Sequence, residues 1–280
     1  MQKIWDLFKE FHALLDGDVD LKTCQECHAL AAVLLAHAEG RHEHKLREWK
    51  DDLDFFADAD TSVPFSFGQC GDRVYWKIVD GVLYIGGEGP MWQFDNLSVS
   101  FSHIDIYSPW RRSDFHTVII HDGVTTIGED AFHGAILSGI VIPRSVKTIE
   151  EAAFFDAKIE KLILPETIDT LEAGIVTGFS RVVDTLVVSA NIPHIKPFSL
   201  FNRDDQLAKT VILTGALPDD LGPLVESRVF DDAGDCEIRY PEAWDTAERS
   251  FIDWLTAYFP DADDTFRGKL KSAVTSYRVE

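Results

Sequence analysis

Hydrophobic and polar positions repeat along the middle of this chain. The segment HDGVTTIGEDAF (121–132) is followed 22 residues later by PRSVKTIEEAAF (143–154), with Val, Ile and Ala-Phe at the same offsets. Short apolar runs recur at related intervals of 22 to 27 residues. They are TVII (117–120), GIVI (139–142), KLIL (161–164), TLVV (185–188), TVIL (210–213) and EIRY (237–240). Such a period, with one short apolar run per unit, predicts a solenoid of stacked repeats.

The same pattern predicts which residues fill the solenoid interior. Each run predicts a short strand that pairs in parallel with the next, because one repeat cannot bury its own apolar side chains. After its strand, each unit contains two further apolar residues five positions apart, where the chain returns toward the next strand. We expect both residues to face the core. These pairs are Ile127 and Phe132, Ile149 and Phe154, and Leu171 and Val176.

The two ends of the chain have helical rather than strand-like periodicity. The pattern of residues 1–60 predicts a three-helix unit. In its first helix, apolar residues recur every three or four positions and so form one face. That face consists of Ile4, Leu7, Phe8, Phe11, Leu14 and Leu15. After Pro241 the positions of Phe251, Trp254, Leu255 and Tyr258 predict another helix, and a last segment follows around 269–277. A terminal helical cap would cover the unpaired final repeat.

At the repeats the sequence resembles the BspA-like family of leucine-rich repeat proteins, with repeats of the Firmicutes type. The motif IVIPRSVKTIEEAAF matches the family repeat of an apolar strand, Ile-Pro, Ser-Val, Ile-Gly and Ala-Phe. Residues 69–94 and SPW (108–110) resemble the segment that precedes such repeats, so the resemblance covers roughly 65–245. It departs from the family pattern at EAGIV (172–176), and the N-terminal helices are not part of it. The resemblance implies a binding scaffold without naming a ligand.

The expected fold is therefore α+β, a leucine-rich repeat solenoid with short parallel strands between helical ends. We predict an N-terminal helical domain over 1–60, a β cap over 61–115, repeats over 116–245 and a C-terminal helical cap over 246–280. The 280 residues suffice for such cores. No run of 18 apolar residues occurs and the N-terminus lacks the features of a secretory signal, so we expect a cytoplasmic protein.

The net charge of −22 argues against nucleic acid or an anionic membrane as the partner.

Candidate cofactor sites are few. Cys24-Gln-Glu-Cys27-His28 has the spacing of covalent haem attachment, and Cys24 and Cys27 could bind zinc with His37, His42 or His44. Their place in a helical pattern favours ordinary helix residues, and we expect no cofactor or metal. Gly86–Gly89 lacks the Lys-Ser/Thr ending of a phosphate loop, and no catalytic motif is present.

One feature of the strands indicates an interaction surface. Side chains alternate across a strand, so if Val118 and Ile120 face the core, Ile119 faces outward. The same register places a β-branched apolar residue outward in five successive strands. We call this set the outward row: Ile119, Val141, Ile163, Val187 and Ile212. Exposed apolar patches of this size mark interfaces, so either the N-terminal helices or flanking segments cover the row, or a protein partner or a second copy does.

The leading hypothesis is a non-enzymatic scaffold that binds protein through its repeats. A second is an acidic inhibitor, which mimics a polyanion and occupies a nucleic-acid-binding protein of a defence or counter-defence system. A third is a surface adhesin whose signal has been trimmed, as in secreted members of the family it resembles. An enzyme built on residues 1–60 is the least favoured.

Overall fold

The structure is a computed structural model, and it describes residues 67–94, 108–111, 113–176, 178, 183–200, 208–231 and 235–278. The predicted helical unit over 1–60 lies outside the described residues. The described strands are, in chain order, β1 (Phe67–Gln69), β2 (Val74–Val79), β3 (Val82–Gly87), β4 (Gly89–Pro90), β5 (Thr117–Ile120), β6 (Val124–Ile127), β7 (Ile136–Leu137), β8 (Gly139–Val141), β9 (Thr148–Ile149), β10 (Lys158–Ile163), β11 (Thr170–Leu171), β12 (Val183–Ser189), β13 (His194–Ile195), β14 (Ala208–Thr214), β15 (Glu237–Pro241) and β16 (Val274–Tyr277).

The main wall of the solenoid consists of two consecutive sheets. The first has the order β1-β2-β3-β5-β8 and the second the order β16-β15-β14-β12-β10-β7. Strands β1, β2 and β3 pair antiparallel, and every later neighbouring pair in the wall is parallel. The predicted parallel-strand solenoid is thus confirmed, and its strands match the six apolar runs of the sequence within a few residues.

A narrow third sheet runs along the opposite side of the repeats. Its order is β13-β11-β9-β6-β4, and all its pairs are parallel. Its strands contain Ile127, Ile149 and Leu171, the residues expected to face the core, and all three are fully buried. The sequence pattern placed these residues inside but did not predict that their segments pair as strands.

Aromatic side chains stack along the solenoid axis between the sheets. Phe132 and Phe154 are 1% and 0% exposed, and their parallel rings lie 5.5 Å apart between centroids. Trp110 continues the stack at 5.8 Å from Phe132, and its indole N–H donates to the carbonyl of Ala131. Repeating Phe at one position of the motif therefore gives a continuous column, because consecutive repeats place that position at the same depth.

The C-terminal segment differs from the expected helical cap. It contains a short helix α1 (Gly222–Glu226), a 3-10 turn (Glu242–Trp244), and helices α2 (Phe251–Ala257) and α3 (Asp264–Ala273). The side chain of Ser250 caps α2 and that of Asp263 caps α3. After α3, however, the chain returns to the wall as β16, which pairs in parallel with β15. A strand, and not a helix, therefore forms this edge of the sheet.

Candidate interaction surface

The five residues of the outward row occupy equivalent positions in the wall. Ile119 is in register with Val141 in the first sheet, and Ile163 is in register with Val187 and Ile212 in the second. Their strand neighbours point the other way: Val118, Leu162 and Val211 are fully buried in the core. The alternation of the sequence therefore places the row on the outer face of the wall.

The two halves of the row meet where the chain breaks between strands β7 and β8. Strands β7 and β8 are consecutive, separated by Ser138 alone. Strand β7 pairs with the start of β10, whereas β8 pairs with β5. Strand β8 nevertheless lies beside β10. Val141 and Ile163 are therefore neighbours across the junction, and the row continues from one sheet to the other.

Exposure is concentrated at this junction. Val141 is 56% exposed and Ile163 is 45% exposed, whereas Ile119, Val187 and Ile212 are partly buried. Most other large apolar side chains of the described repeats are within the core. Two adjacent β-branched residues thus form the most accessible part of the outward row, at its centre.

The row has different boundaries at its two ends. At the C-terminal end Arg239 follows Ile212 in register and pairs with Glu237, whose carboxylate accepts two hydrogen bonds of 3.0 Å and raises the pKa of the guanidinium. At the N-terminal end Tyr84 is in register with Ile119 and Lys77 with Tyr84. The ammonium of Lys77 lies 5.5 Å from the centroid of the Tyr84 ring. The repeat pattern of the sequence did not predict that Tyr84 extends the row, although the alternation within GVLYI indicates its outward direction.

Charged side chains border the row on the side where the strands begin. Lys158, Lys161 and Lys209 are exposed there, together with Glu160 and Asp184. A shallow open groove in this border also includes His116 and Ile136, which is 71% exposed. In a chain of net charge −22 this border contains more basic than acidic groups. The surface therefore combines an apolar centre with a mixed, locally basic rim.

The other candidate sites have ordinary structural surroundings or lie outside the described residues. The candidate haem and zinc ligands, which are Cys24, Cys27, His28 and the three other histidines, lie outside the described residues. Gly86–Gly89 form the end of β3 and the turn into β4, where Glu88 makes a 2.8 Å ion pair with Arg73. Across the described ranges, no three metal-ligating side chains cluster. Nor does any helix there have the length and apolar character needed to cross a membrane.

A comparison with protein families matches residues 106–214 to the BspA type leucine-rich repeat region, in six copies. The centre of this chain is a BspA-type leucine-rich repeat region. The match confirms the resemblance within the 65–245 segment predicted from the sequence. It includes all five strands that contain the residues of the outward row.

Two solved structures are similar to this chain. One is a leucine-rich repeat protein from Eubacterium ventriosum, with 14% identity, a TM-score of 0.36, and coverage of 63% of this chain and 44% of that one. The other is the pneumococcal vaccine antigen PcpA, with 16% identity, a TM-score of 0.40, and coverage of 75% and 49%. The chain thus spans less than half of either structure. A comparison with curated protein sequences finds no significant match.

Proposed function

We propose that this leucine-rich repeat protein is a non-catalytic scaffold that binds a protein partner through the outward row. The leucine-rich repeat fold suggests a protein-interaction or surface-type role, and the row gives that role a location. The observation that supports it most directly is the exposure of Val141 and Ile163, 56% and 45%, side by side at the junction of the two sheets. Apolar side chains held on a rigid wall form a preorganised surface, which loses little conformational entropy on binding.

The chemistry of the surface favours a protein over a small molecule. Small-molecule sites are concave and enclose most of their ligand, whereas the row is a flat face of β-branched side chains. Protein interfaces combine an apolar centre with a polar rim. The row with its border of Lys158, Lys161 and Asp184 has this composition.

The contacts of His116, His121 and His133 support a structural role for these three side chains. His133 lies 3.2 Å from the carboxylate of Asp130 and packs on Phe155 at 4.9 Å. His116 makes a hydrogen bond with the hydroxyl of Thr117, and His121 packs beside Tyr84. These contacts attach histidines to neighbouring turns and strands, as expected of residues that stabilise the solenoid.

The substitution Ile163→Asp tests the proposal, with Phe198→Asp as a control at an exposed apolar residue outside the row and its border. A partner isolated from the native source would first be identified, purified and shown to bind the wild-type protein by calorimetry. We expect Ile163→Asp to weaken that binding at least 100-fold, because it places a carboxylate in the apolar centre. Phe198→Asp should change affinity less than about threefold. Unchanged affinity of the Ile163→Asp variant would contradict the proposal.

Two further readouts separate the alternatives. Binding through the apolar row should change little between 50 and 500 mM NaCl, whereas a polyanion mimic would lose affinity steeply as salt screens its charges. The melting temperature of Ile163→Asp should remain near the wild-type value if a partner covers the row. A large decrease would indicate that the chain's own segments depend on this residue.

A further inference from the structure

A glycine leaves a gap on the outer face of the wall, beside the most exposed part of the outward row. Gly139 lies on β8, two residues before Val141, and is in register with Thr117 on β5. Strand β10 pairs with β7 at an offset of 22 residues, and the same offset places Lys161 beside Gly139. We call this gap the glycine notch. It is bordered by Thr117, Val141, Lys161 and Ile163.

The fold does not require a glycine at this position. The φ angle of Gly139 lies outside the left-handed region, in contrast to those of Gly123 and Gly134. Apart from its chain neighbours, a Cβ placed on Gly139 would meet no heavy atom of the described residues within 4 Å. A Cβ on Gly128, in contrast, would lie 1.9 Å from the carbonyl oxygen of Trp92. A strand glycine without either reason is typical of a place where another molecule approaches the backbone closely.

The border of the notch is apolar apart from one ammonium group. Val141 and Ile163, 56% and 45% exposed, provide branched aliphatic side chains. The hydroxyl of Thr117 already makes a 3.1 Å hydrogen bond with a neighbouring histidine ring. Lys161 is exposed and makes no ion pair with any described residue, while the exposed Glu160 lies one residue nearer the start of the strand. This border matches an apolar side chain that has a carboxylate next to it.

The notch also distinguishes one strand of the row from the other four. Two residues before the row, the other strands have side chains at the equivalent position, which are Thr117, Lys161, Thr185 and Thr210. A repeated wall otherwise presents nearly the same contacts after each step of about 4.8 Å. A partner with one projecting side chain would therefore bind at a single position along the wall.

From these observations we infer that the glycine notch receives one apolar anchor side chain of the protein partner, a leucine, methionine or phenylalanine with an acidic residue beside it. The inference deepens the proposed function and rests on it, because the notch adjoins Val141 and Ile163 at the centre of the row. Protein interfaces concentrate their binding energy in a few anchors that fill pockets near the centre. The row provides apolar area, and the notch fixes where the partner lies on it.

Filling the notch tests this inference with the purified partner used for the Ile163→Asp measurement. Gly139→Ala and Gly139→Val add increasing bulk, and Gly268→Ala is the control, because a Cβ on Gly268 in α3 also meets no atom within 4 Å. We expect Gly139→Val to weaken binding about 30-fold, Gly139→Ala to weaken it less, and Gly268→Ala to leave it unchanged. The melting temperature of Gly139→Val should equal or exceed that of the wild type, since β-branched residues favour strands.

Two further measurements test the chemistry of the occupant. Alanine scanning of the partner should find one apolar side chain whose removal weakens binding to the wild type about 30-fold. The same removal should have little further effect on binding to Gly139→Val, because valine already fills the notch. Lys161→Ala should weaken binding, whereas Glu160→Ala should not. Equal effects of these two substitutions would exclude an acidic residue beside the anchor.

Other results would overturn the inference. Wild-type affinity of Gly139→Val would show that no side chain enters the notch, as would an anchor whose removal has the same effect on Gly139→Val as on the wild type. The two proposals fail separately. If Ile163→Asp prevents binding while Gly139→Val does not, the notch inference is wrong and the proposed function stands. If Ile163→Asp leaves binding unchanged, the proposed function is wrong, whatever the effect of Gly139→Val.

Discussion

A left-handed backbone position recurs in four consecutive repeats, two residues before the column of core side chains. The φ angles there are +53° at Asp130, +54° at Ala152, +62° at Gly174 and +62° at Phe198. Only glycine adopts this conformation without steric cost, and a bulky residue such as phenylalanine is strained there. The turn is therefore imposed by the stacking of the repeats, and individual repeats accommodate it with different residues.

Replacing Ala152 by glycine should relieve this strain. We expect Ala152→Gly to increase the free energy of unfolding by about 0.5–1 kcal/mol. The strain energy that it removes from the folded protein exceeds the free-energy cost of the flexibility that glycine adds to the unfolded chain. The measurement is urea denaturation followed by circular dichroism. Ala153→Gly is the matched control: Ala153 is fully buried with an ordinary backbone, so its replacement should destabilise by about 1–2 kcal/mol. Equal effects of the two substitutions would contradict the interpretation.

Phe132 and Phe154 determine how well the repeats stack. We expect Phe132→Ala and Phe154→Ala each to lower the free energy of unfolding by about 3–5 kcal/mol, because both leave a cavity in a column of fully buried aromatic rings. The same denaturation experiment measures the loss. Variants as stable as the wild type would show that the column does not stabilise the solenoid.

Among the elements, β15 is connected to the C-terminal helices through Tyr240. Its Tyr240 hydroxyl donates to the Asp245 carboxylate at 3.1 Å, and the same carboxylate accepts from the backbone N–H of Phe251 at the start of α2. The rings of Tyr240, Trp244 and Phe251 pack together, with 4.5 Å between the first and the third. One carboxylate and three rings therefore fix the first turn of α2 to the wall.

This arrangement predicts a pH dependence at alkaline pH. Burial, together with the Asp245 carboxylate, raises the pKa of Tyr240 to about 12 from its usual 10. Between these values the unfolded chain releases a proton that the folded protein retains, so stability should be complete below pH 10 and decrease as pH rises toward 12. Melting temperatures between pH 9 and 12 would show the decrease.

Tyr240→Phe is the control for this titration, because it keeps the ring and removes the ionising hydroxyl. Its stability should decrease less steeply over the same pH range. Burial also raises the pKa values of Tyr258 and Tyr277, and these groups should account for part of the remaining decrease. An unchanged slope in Tyr240→Phe would contradict the assignment to Tyr240.

Across the whole molecule, acidic side chains outnumber basic ones by 22. A compact chain with this charge repels itself, and dissolved salt screens the repulsion over about 10 Å at 0.1 M. The solenoid has an extended wall whose repeats contact mainly their neighbours. Net charge should therefore oppose stability throughout the structure instead of at one site.

Salt should consequently stabilise the protein. We expect the melting temperature to rise by about 2–4 °C between 20 and 300 mM NaCl, which corresponds to about 1 kcal/mol for a protein of this size. Differential scanning calorimetry at constant pH would measure the change. Sucrose at equal osmolarity provides a control without ions. A melting temperature that is constant or falls with NaCl would show that self-repulsion is not a significant term.

Sequence periodicity determined the local part of this structure. The apolar runs at 117–120 and 139–142, and the positions of Phe132 and Phe154, follow from a repeat in which side chains alternate and each unit needs a neighbour. For the same reason the sequence identified the outward row, since the outward direction of Ile163 depends only on its alternation with buried neighbours. Its role in binding a partner stays a prediction.

Only the tertiary structure decided how the repeats meet. The break at Ser138 that places Val141 beside Ile163, the narrow sheet formed by Thr148–Ile149 and similar two-residue strands, and the return of the chain as β16 all depend on pairing between residues far apart in sequence. Two residues are too few to show a period, so their pairing is invisible in the sequence. Exposure likewise differs along the row because each position is covered by different neighbours, although all five residues share one register and one chemistry.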